Sequence, residues 1–138
     1  MSGQQSTDPE DQGGPGTARR ARGLARMSEV YGFELGDLPG DFYGITVDHL
    51  FADIWERDGL SVRDRRLILL GSIAAQGVLD IAEIQISAAL RNGELDERQL
   101  REVAIFLCHY VGWPIGTKFD QLVGKVVHQH EKAAAREE

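Results

Sequence analysis

The chain has 138 residues, of which 42% are hydrophobic, and it carries a formal net charge of −7. This length predicts a single domain, and so small a core would gain stability from burial against further copies of the chain. The negative charge argues against a binding surface for duplex nucleic acid, because such a surface needs clustered cations to displace counterions.

The N-terminal composition and the cysteine content bear on where the protein works. Residues 1–17 are rich in Gly, Gln, Asp and Pro and hold no apolar segment, which predicts a disordered leader without a secretion signal. The single cysteine cannot form an intramolecular disulfide, and no apolar run approaches the roughly 18 residues of a membrane span. We therefore expect a cytoplasmic protein that does not bind membranes.

A short amphipathic helix is predicted over residues 19–32, where Leu24, Met27 and Val30 recur at helical spacing among several arginines. Residues 36–40 form a predicted turn. A single helical domain is expected over residues 18–130, followed by a polar tail over residues 131–138.

Two core helices are predicted over residues 47–57 and 62–76. The first ends at Asp58-Gly59. The second begins at Ser61, which forms a capping-box-like pair with Asp64. From Leu67 onward this helix is nearly all apolar, which predicts burial on most of its sides.

The third core helix has a start signal, an apolar stripe and an end signal. Asp80 and Glu83 mark the predicted start, and Asn92-Gly93 marks the end in a left-handed cap. The predicted apolar stripe consists of Ile81, Ile84 and Ala88.

The fourth and fifth core helices are separated by residues 112–114, where glycine and proline interrupt the helical pattern. Asp96 is the expected start of the fourth helix, whose apolar positions step by three and four from Leu100 to Val111. The fifth begins near Ile115. Because no strand alternation of useful length occurs, the chain is predicted to be an all-α bundle of five to six helices.

Four segments carry a resemblance to a known family. They are His49-Leu50-Phe51-Ala52-Asp53-Ile54-Trp55, Gly59-Leu60-Ser61-x-Arg63-Asp64-Arg65, Ala88-Ala89-Leu90-Arg91-Asn92-Gly93 and Tyr110-Val111-Gly112-Trp113-Pro114. Their order and spacing resemble the carboxymuconolactone decarboxylase family, a group of small all-helical proteins related to alkylhydroperoxidase D. The resemblance implies that fold, and a homo-oligomer, often a trimer or hexamer, with pockets near the subunit contacts.

Thiol chemistry in this family depends on a Cys-x-x-Cys pair, in which one thiolate attacks and the other resolves the intermediate. The resemblance places those two positions at Val78 and Ile81. The single cysteine, Cys108, lies on the apolar stripe of the fourth helix, where a packing role is expected. The sequence therefore argues against a thiol peroxidase.

The decarboxylase branch implies a lyase that needs neither a metal nor a cofactor. Loss of CO2 from an unsaturated lactone acid leaves a dienolate-like charge, which must be stabilised and then protonated at carbon. The inward His of the family corresponds to Gln85 here. A glutamine can orient a substrate by hydrogen bonding but cannot act as an acid, so the proton must come from another residue.

His49 and Arg65 match family residues and are the best candidates for that chemistry. His49 titrates in the useful pH range, and Arg65 could bind a substrate carboxylate through two hydrogen bonds. Each also has a structural interpretation. His49 could bridge to Asp53 one turn later, and Arg65 could pair with a carboxylate at a helix start.

Three further residues are candidates for the pocket. His109 is an alternative acid, although a surface or interface histidine is the favoured explanation. Tyr110 is expected either to orient the substrate or to fasten two helices, and Trp55 either to contact the substrate or to pack in the core. His128 and His130 lie two residues apart and so point to different sides of a helix, and no metal site is predicted.

The sequence therefore predicts two alternative functions. The first is a lyase resembling γ-carboxymuconolactone decarboxylase, with a small anionic cyclic or unsaturated carboxylic acid as its substrate. The alternative is a noncatalytic, oligomeric, ligand-binding member of the family, which Gln85 favours.

Overall fold

The structure, a computed structural model, describes residues 15–137, and every regular element in this range is helical. The α-helices are α1 (Pro15–Tyr31), α2 (Asp41–Ile45), α3 (Val62–Gln76), α4 (Leu79–Arg91), α5 (Glu97–Val111) and α6 (Trp113–Glu137), and a π-helix covers Thr46–Ile54. The predicted all-α fold is confirmed. No helix within residues 15–137 is both long and apolar enough to cross a membrane.

The backbone divides into two compact units. In the described part of the chain, the first unit comprises residues 15–27 and 35–56, and the second comprises residues 28–34 and 57–137.

The first unit contains most of α1, together with α2 and the π-helix. The π-helix closes with a bond from the backbone N–H of Trp55 to the carbonyl of Leu50, five residues earlier, at 2.9 Å. The helix predicted over residues 47–57 is therefore confirmed as helical, but it ends earlier and differs in type. A π-helix is rare, and segments of this kind occur frequently at functional sites.

Close approach between α1 and the π-helix depends on Gly23. A Cβ atom at this position would overlap the carbonyl oxygen of Val47 and lie 2.7 Å from its Cγ1. Arg26 on α1 also donates to both carboxylate oxygens of Glu56, at 2.8 and 3.2 Å. These hydrogen bonds, supported by the nearby positive charge, lower the pKa of Glu56.

The hydrophobic core of the second unit lies between α3, α4, α5 and α6. Fully buried side chains from all four helices meet there; they include Leu70, Ile86, Leu100, Phe119 and Val123. Local signals set the helix starts. Ser61 Oγ accepts the backbone N–H of Asp64 at 3.0 Å, and Asp96 forms a complete capping box with Gln99.

Several helix boundaries differ from the predicted ones. Of the predicted disordered leader, residues 1–14 lie outside the described residues, whereas residues 15–17 already belong to α1. The start signal at Asp80 and Glu83 was misplaced, because α4 begins at Leu79 without a side-chain cap. The predicted tail is helical as far as Glu137, since its alanine, lysine, arginine and glutamate residues favour helix.

Two predicted buried faces were also wrong. Ile68 of α3 is exposed, so α3 is not buried on most sides. In α4, Ile81 and Ile84 are exposed as well. Ala88, the third residue of the predicted stripe, is buried as expected, and the rest of the buried face is formed by Ala82, Gln85, Ile86 and Ala89. Apolar residues occur around the whole circumference of α4, so the pattern alone could not identify the side that packs against α3 and α6.

Candidate functional site

The first unit contains an open cleft between α1, α2 and the π-helix, with a volume of about 510 Å³. Two cations, two carboxylates and one imidazole line it, beside two glycines and one isoleucine. These residues are Arg19, Arg20, Gly40, Asp41, Gly44, Ile45, Asp48 and His49.

His49 and Asp53 lie next to each other on the π-helix. His49 Nδ1 is 3.7 Å from Asp53 Oδ2, and the His49 side chain is 65% exposed. Asp53 also accepts a hydrogen bond from Arg19 Nη2. One carboxylate therefore lies beside both a cation and an imidazole.

The arginines of the cleft are held by carboxylates of the same unit. Arg20 donates to both oxygens of Asp48, at 2.8 and 2.9 Å, and to Asp37 at 2.9 Å. These hydrogen bonds, first to Asp48 and then to Asp37, raise the pKa of Arg20, which stays cationic. Arg19 donates its Nε hydrogen to the backbone carbonyl of Asp48 at 2.9 Å.

Trp55 does not line this cleft. Its side chain is buried, and its ring stacks on Phe51 with the ring centroids 6.1 Å apart. Among the predicted site residues of the first unit, His49 therefore lines the cleft and Trp55 belongs to the core.

The second unit contains a buried polar network around Arg66. The side chain of Arg66 is 0% exposed and donates to both oxygens of Glu94, at 2.8 and 3.1 Å. The third guanidinium nitrogen of Arg66, Nη1, donates to Oε1 of Gln85. Asn92 donates to Glu94 as well, at 3.1 Å. The amide of Gln85, which corresponds to the inward His of the family, is thus engaged by a core arginine.

Arg66 was not among the site residues predicted from the sequence, although its position on an apolar helix face indicates burial. Arg66 lies four residues before Leu70 and shares the buried face of α3 with Ile73 and Ala74. An arginine on such a face must be paired, because an isolated buried charge is strongly unfavourable. The predicted site residue beside it, Arg65, is partly buried, and its guanidinium donates to the backbone carbonyl of Leu60.

His109 and Tyr110 lie at the exposed end of α5. His109 Nδ1 is 2.9 Å from the carbonyl oxygen of Ile105, and its ring meets Trp113 edge-on at 5.3 Å. The Tyr110 side chain is 76% exposed and packs against Phe106, with the ring centroids 5.0 Å apart. Consecutive residues on a helix do not face each other, so the two side chains do not form a joint site on α5.

Cys108 packs closely against α6. A Cβ atom at Gly116 would overlap the Cys108 Sγ and lie 3.1 Å from its Cα. This close packing agrees with the packing role expected for the thiol. Within residues 15–137, no three His, Cys, Asp or Glu side chains are arranged to hold a metal ion.

Comparison with known families identifies the family of this chain. The carboxymuconolactone decarboxylase family matches residues 40–119, more than half of the chain. The comparison with curated proteins found no match. The matched segment contains His49, Arg65, Gln85 and Tyr110, and the all-helical structure agrees with the fold that the resemblance implies. The chain belongs to the carboxymuconolactone decarboxylase family, as a member with a single cysteine and hence without the Cys-x-x-Cys motif.

Proposed function

We propose that the chain is a lyase resembling γ-carboxymuconolactone decarboxylase, which acts on a small cyclic or unsaturated carboxylic acid in the cleft of the first unit. Family membership supports the reaction class. The observation that carries the proposal is the pairing of His49 with Asp53 at the edge of a cleft that also contains Arg19.

The chemistry assigns the proton transfer to His49. When the carbon–carbon bond to the leaving carboxylate breaks, CO2 departs and the electron pair remains on the substrate as a dienolate. The His49 imidazolium then donates its proton to the substrate carbon. Solvent returns the proton to the exposed ring afterwards.

A substrate with a second carboxylate keeps that group when the first leaves as CO2. Arg19 is the candidate residue to bind this second carboxylate. Its side chain is 44% exposed and donates through Nε and Nη2, whereas Arg20 uses Nε, Nη1 and Nη2 on Asp37 and Asp48. Because Asp41 and Asp48 also line the cleft, attraction of an anion from a distance is weak, and direct contact with the guanidinium is needed.

The other site assignments stay predictions. These are Arg65, Gln85, Tyr110 and Trp55 as substrate contacts and His109 as a second candidate for proton transfer. Each is tested by its alanine variant in the same turnover assay. Full turnover in Arg19→Ala would contradict the carboxylate-binding role of Arg19.

A noncatalytic, ligand-binding role is the second candidate. The specific observation in its favour is the engagement of Gln85 by Arg66, which gives this position a role in the core. A decarboxylase of this family would need a titratable group elsewhere, whereas a ligand-binding member would not.

An ultraviolet turnover assay combined with calorimetry separates the two functions. The purified full chain is mixed with γ-carboxymuconolactone in chelator-treated buffer. Decrease of the substrate absorbance with release of CO2 supports the lyase. Saturable heat of binding without turnover supports the ligand-binding role, and neither signal would contradict both for this substrate.

A further inference from the structure

Ser87 of α4 and His130 of α6 form a polar pair that the proposed lyase site does not use. Ser87 Oγ lies 2.9 Å from His130 Nε2, and the pair is partly buried. Both residues belong to the second unit, in helices that pack against each other. A hydroxyl held against an imidazole is the arrangement that activates serine nucleophiles.

Ser87 lies at the wall of a cavity. Ser87 lines a pocket of about 240 Å³ in the second unit, whose wall includes the rings of Tyr31 and Phe33 and the side chain of Ile84. The two rings lie 6.2 Å apart, centroid to centroid. Sites for drug-sized ligands typically measure about 300–1,000 Å³, so this pocket suits a smaller molecule with an apolar group.

The protonation state of His130 is the one that a general base requires. Burial lowers the pKa of His130, and the positive charge of Arg91 lowers it further by a smaller amount. The ring is therefore neutral at neutral pH. When Nδ1 carries the remaining proton, Nε2 accepts the hydrogen bond from Ser87, which is the tautomer needed to remove the hydroxyl proton.

Arg91 also supplies positive charge beside the nucleophile. It follows Ser87 by four residues, so both side chains lie on the same face of α4, and both line the pocket. One of its N–H groups donates to the carbonyl of Gly32. The guanidinium is thereby held where it can stabilise negative charge that develops on an acyl oxygen.

The charge of the pocket favours an uncharged ligand. Asp80 and Glu83 line it together with Arg91, and Glu83 is paired with Lys125 at 3.0 Å. The two carboxylates and the two cations therefore leave no net attraction for an anion. This distinguishes the pocket from a site for a substrate carboxylate.

We propose that Ser87 is a nucleophile that accepts the acyl group of a small neutral ester, with His130 as its base. His130 Nε2 takes the hydroxyl proton while Ser87 Oγ bonds to the acyl carbon. The bond from that carbon to the leaving oxygen breaks, and the leaving alcohol takes the proton from His130. Water then attacks the acyl carbon, His130 takes one of its protons, and the released Ser87 oxygen recovers a proton from the imidazolium.

Acetylation by p-nitrophenyl acetate tests this assignment on the full chain. Intact mass spectrometry follows the acetyl adduct, and peptide mapping locates it. The adduct is expected on Ser87, and Ser87→Ala should remove it. The His130→Gln variant should slow its formation at least about 100-fold, in the range for loss of a general base. Ser72→Ala, which changes an exposed serine of α3, is the matched control and should leave the rate unchanged.

Peptide mapping of the acetylated chain without substitutions gives a result that does not depend on how the variants fold. Adducts found solely on Cys108 or on lysines would overturn the proposal. An unchanged rate of Ser87 acetylation in a folded His130→Gln variant would also overturn it, because the serine would then react without its base. Since the lyase assay uses a different substrate and a different unit, failure here leaves the proposed lyase function untouched.

Discussion

The guanidinium of Arg66 is completely buried and binds both carboxylate oxygens of Glu94, whose side chain is 9% exposed. Gln85 accepts a hydrogen bond from Nη1, so the charge is paired and all three guanidinium nitrogens have a partner. Within the described residues, no buried side-chain nitrogen or oxygen lacks a hydrogen-bond partner. This network joins α3, α4 and the segment after α4 inside the second unit, and it explains why a polar residue occupies position 85.

Removal of Arg66 should be strongly destabilising. The Arg66→Met variant leaves the Glu94 carboxylate nearly buried without its cation, so we expect the free energy of unfolding to fall by about 3–5 kcal/mol. Urea unfolding followed by circular dichroism measures the change. Arg98→Met, which alters an exposed arginine of α5, should stay within about 0.5 kcal/mol of the unsubstituted chain. Equal stabilities of the two variants would show that the buried pair does not form.

The contact between Cys108 and Gly116 leaves no room for a methyl group. Gly116→Ala should lower the free energy of unfolding by about 1–3 kcal/mol, because the added Cβ would press on the Cα of Cys108 as well as on its thiol. Gly71→Ala is the matched helical control. No atom lies within 4 Å of its added Cβ, so it should raise stability by up to about 1 kcal/mol. Denaturant unfolding that gave the same sign for both variants would contradict this packing.

The starts of α3 and α5 and the fold class were predictable because their signals are local. Ser61 and Asp96 cap α3 and α5 through contacts within three residues of sequence. The π-helical register and the burial of Arg66 were not predicted, because both depend on packing between elements distant in the sequence. For the site, His49 and Asp53 are one turn apart and their pairing could be anticipated. The approach of Arg19 to Asp53, across 34 residues, could not.

The stability of the second unit should depend on the protonation of His130. Because burial and Arg91 lower the pKa of His130 below its usual 6.5, the unfolded chain takes up this proton at a higher pH than the folded chain. The contribution of His130 to stability is therefore complete above about pH 7. It is lost as the pH falls through 6.5 toward the folded-state pKa.

Urea unfolding at about pH 7.5 and about pH 5.5 measures this dependence. The loss of stability on acidification should be smaller in His130→Gln than in the unsubstituted chain. His128→Gln, which alters an exposed neighbour on α6, should retain the full loss. Identical losses in all three proteins would contradict the buried, neutral state of His130.

Self-association is predicted from the family resemblance and has a candidate surface at the end of α5. Phe106 and Tyr110 are 62% and 76% exposed and their ring centroids lie 5.0 Å apart, so they form an aromatic patch of the kind that marks contacts between proteins. We expect a second copy of the chain to cover it. In sedimentation velocity, Phe106→Glu should shift the protein to a smaller species, whereas Gln121→Glu, on an exposed part of α6, should not. A monomeric unsubstituted chain would contradict this prediction.

The role of His49 is tested most directly by turnover of γ-carboxymuconolactone in the ultraviolet assay, with His49→Gln beside the unsubstituted chain and His128→Gln as the control. The His49 side chain is mostly exposed, so its replacement should leave the fold intact. We predict that His49→Gln lowers kcat/KM at least tenfold, equivalent to about 1.4 kcal/mol of transition-state stabilisation, while His128→Gln keeps full activity. Full turnover in His49→Gln would contradict the assignment of the proton transfer to His49.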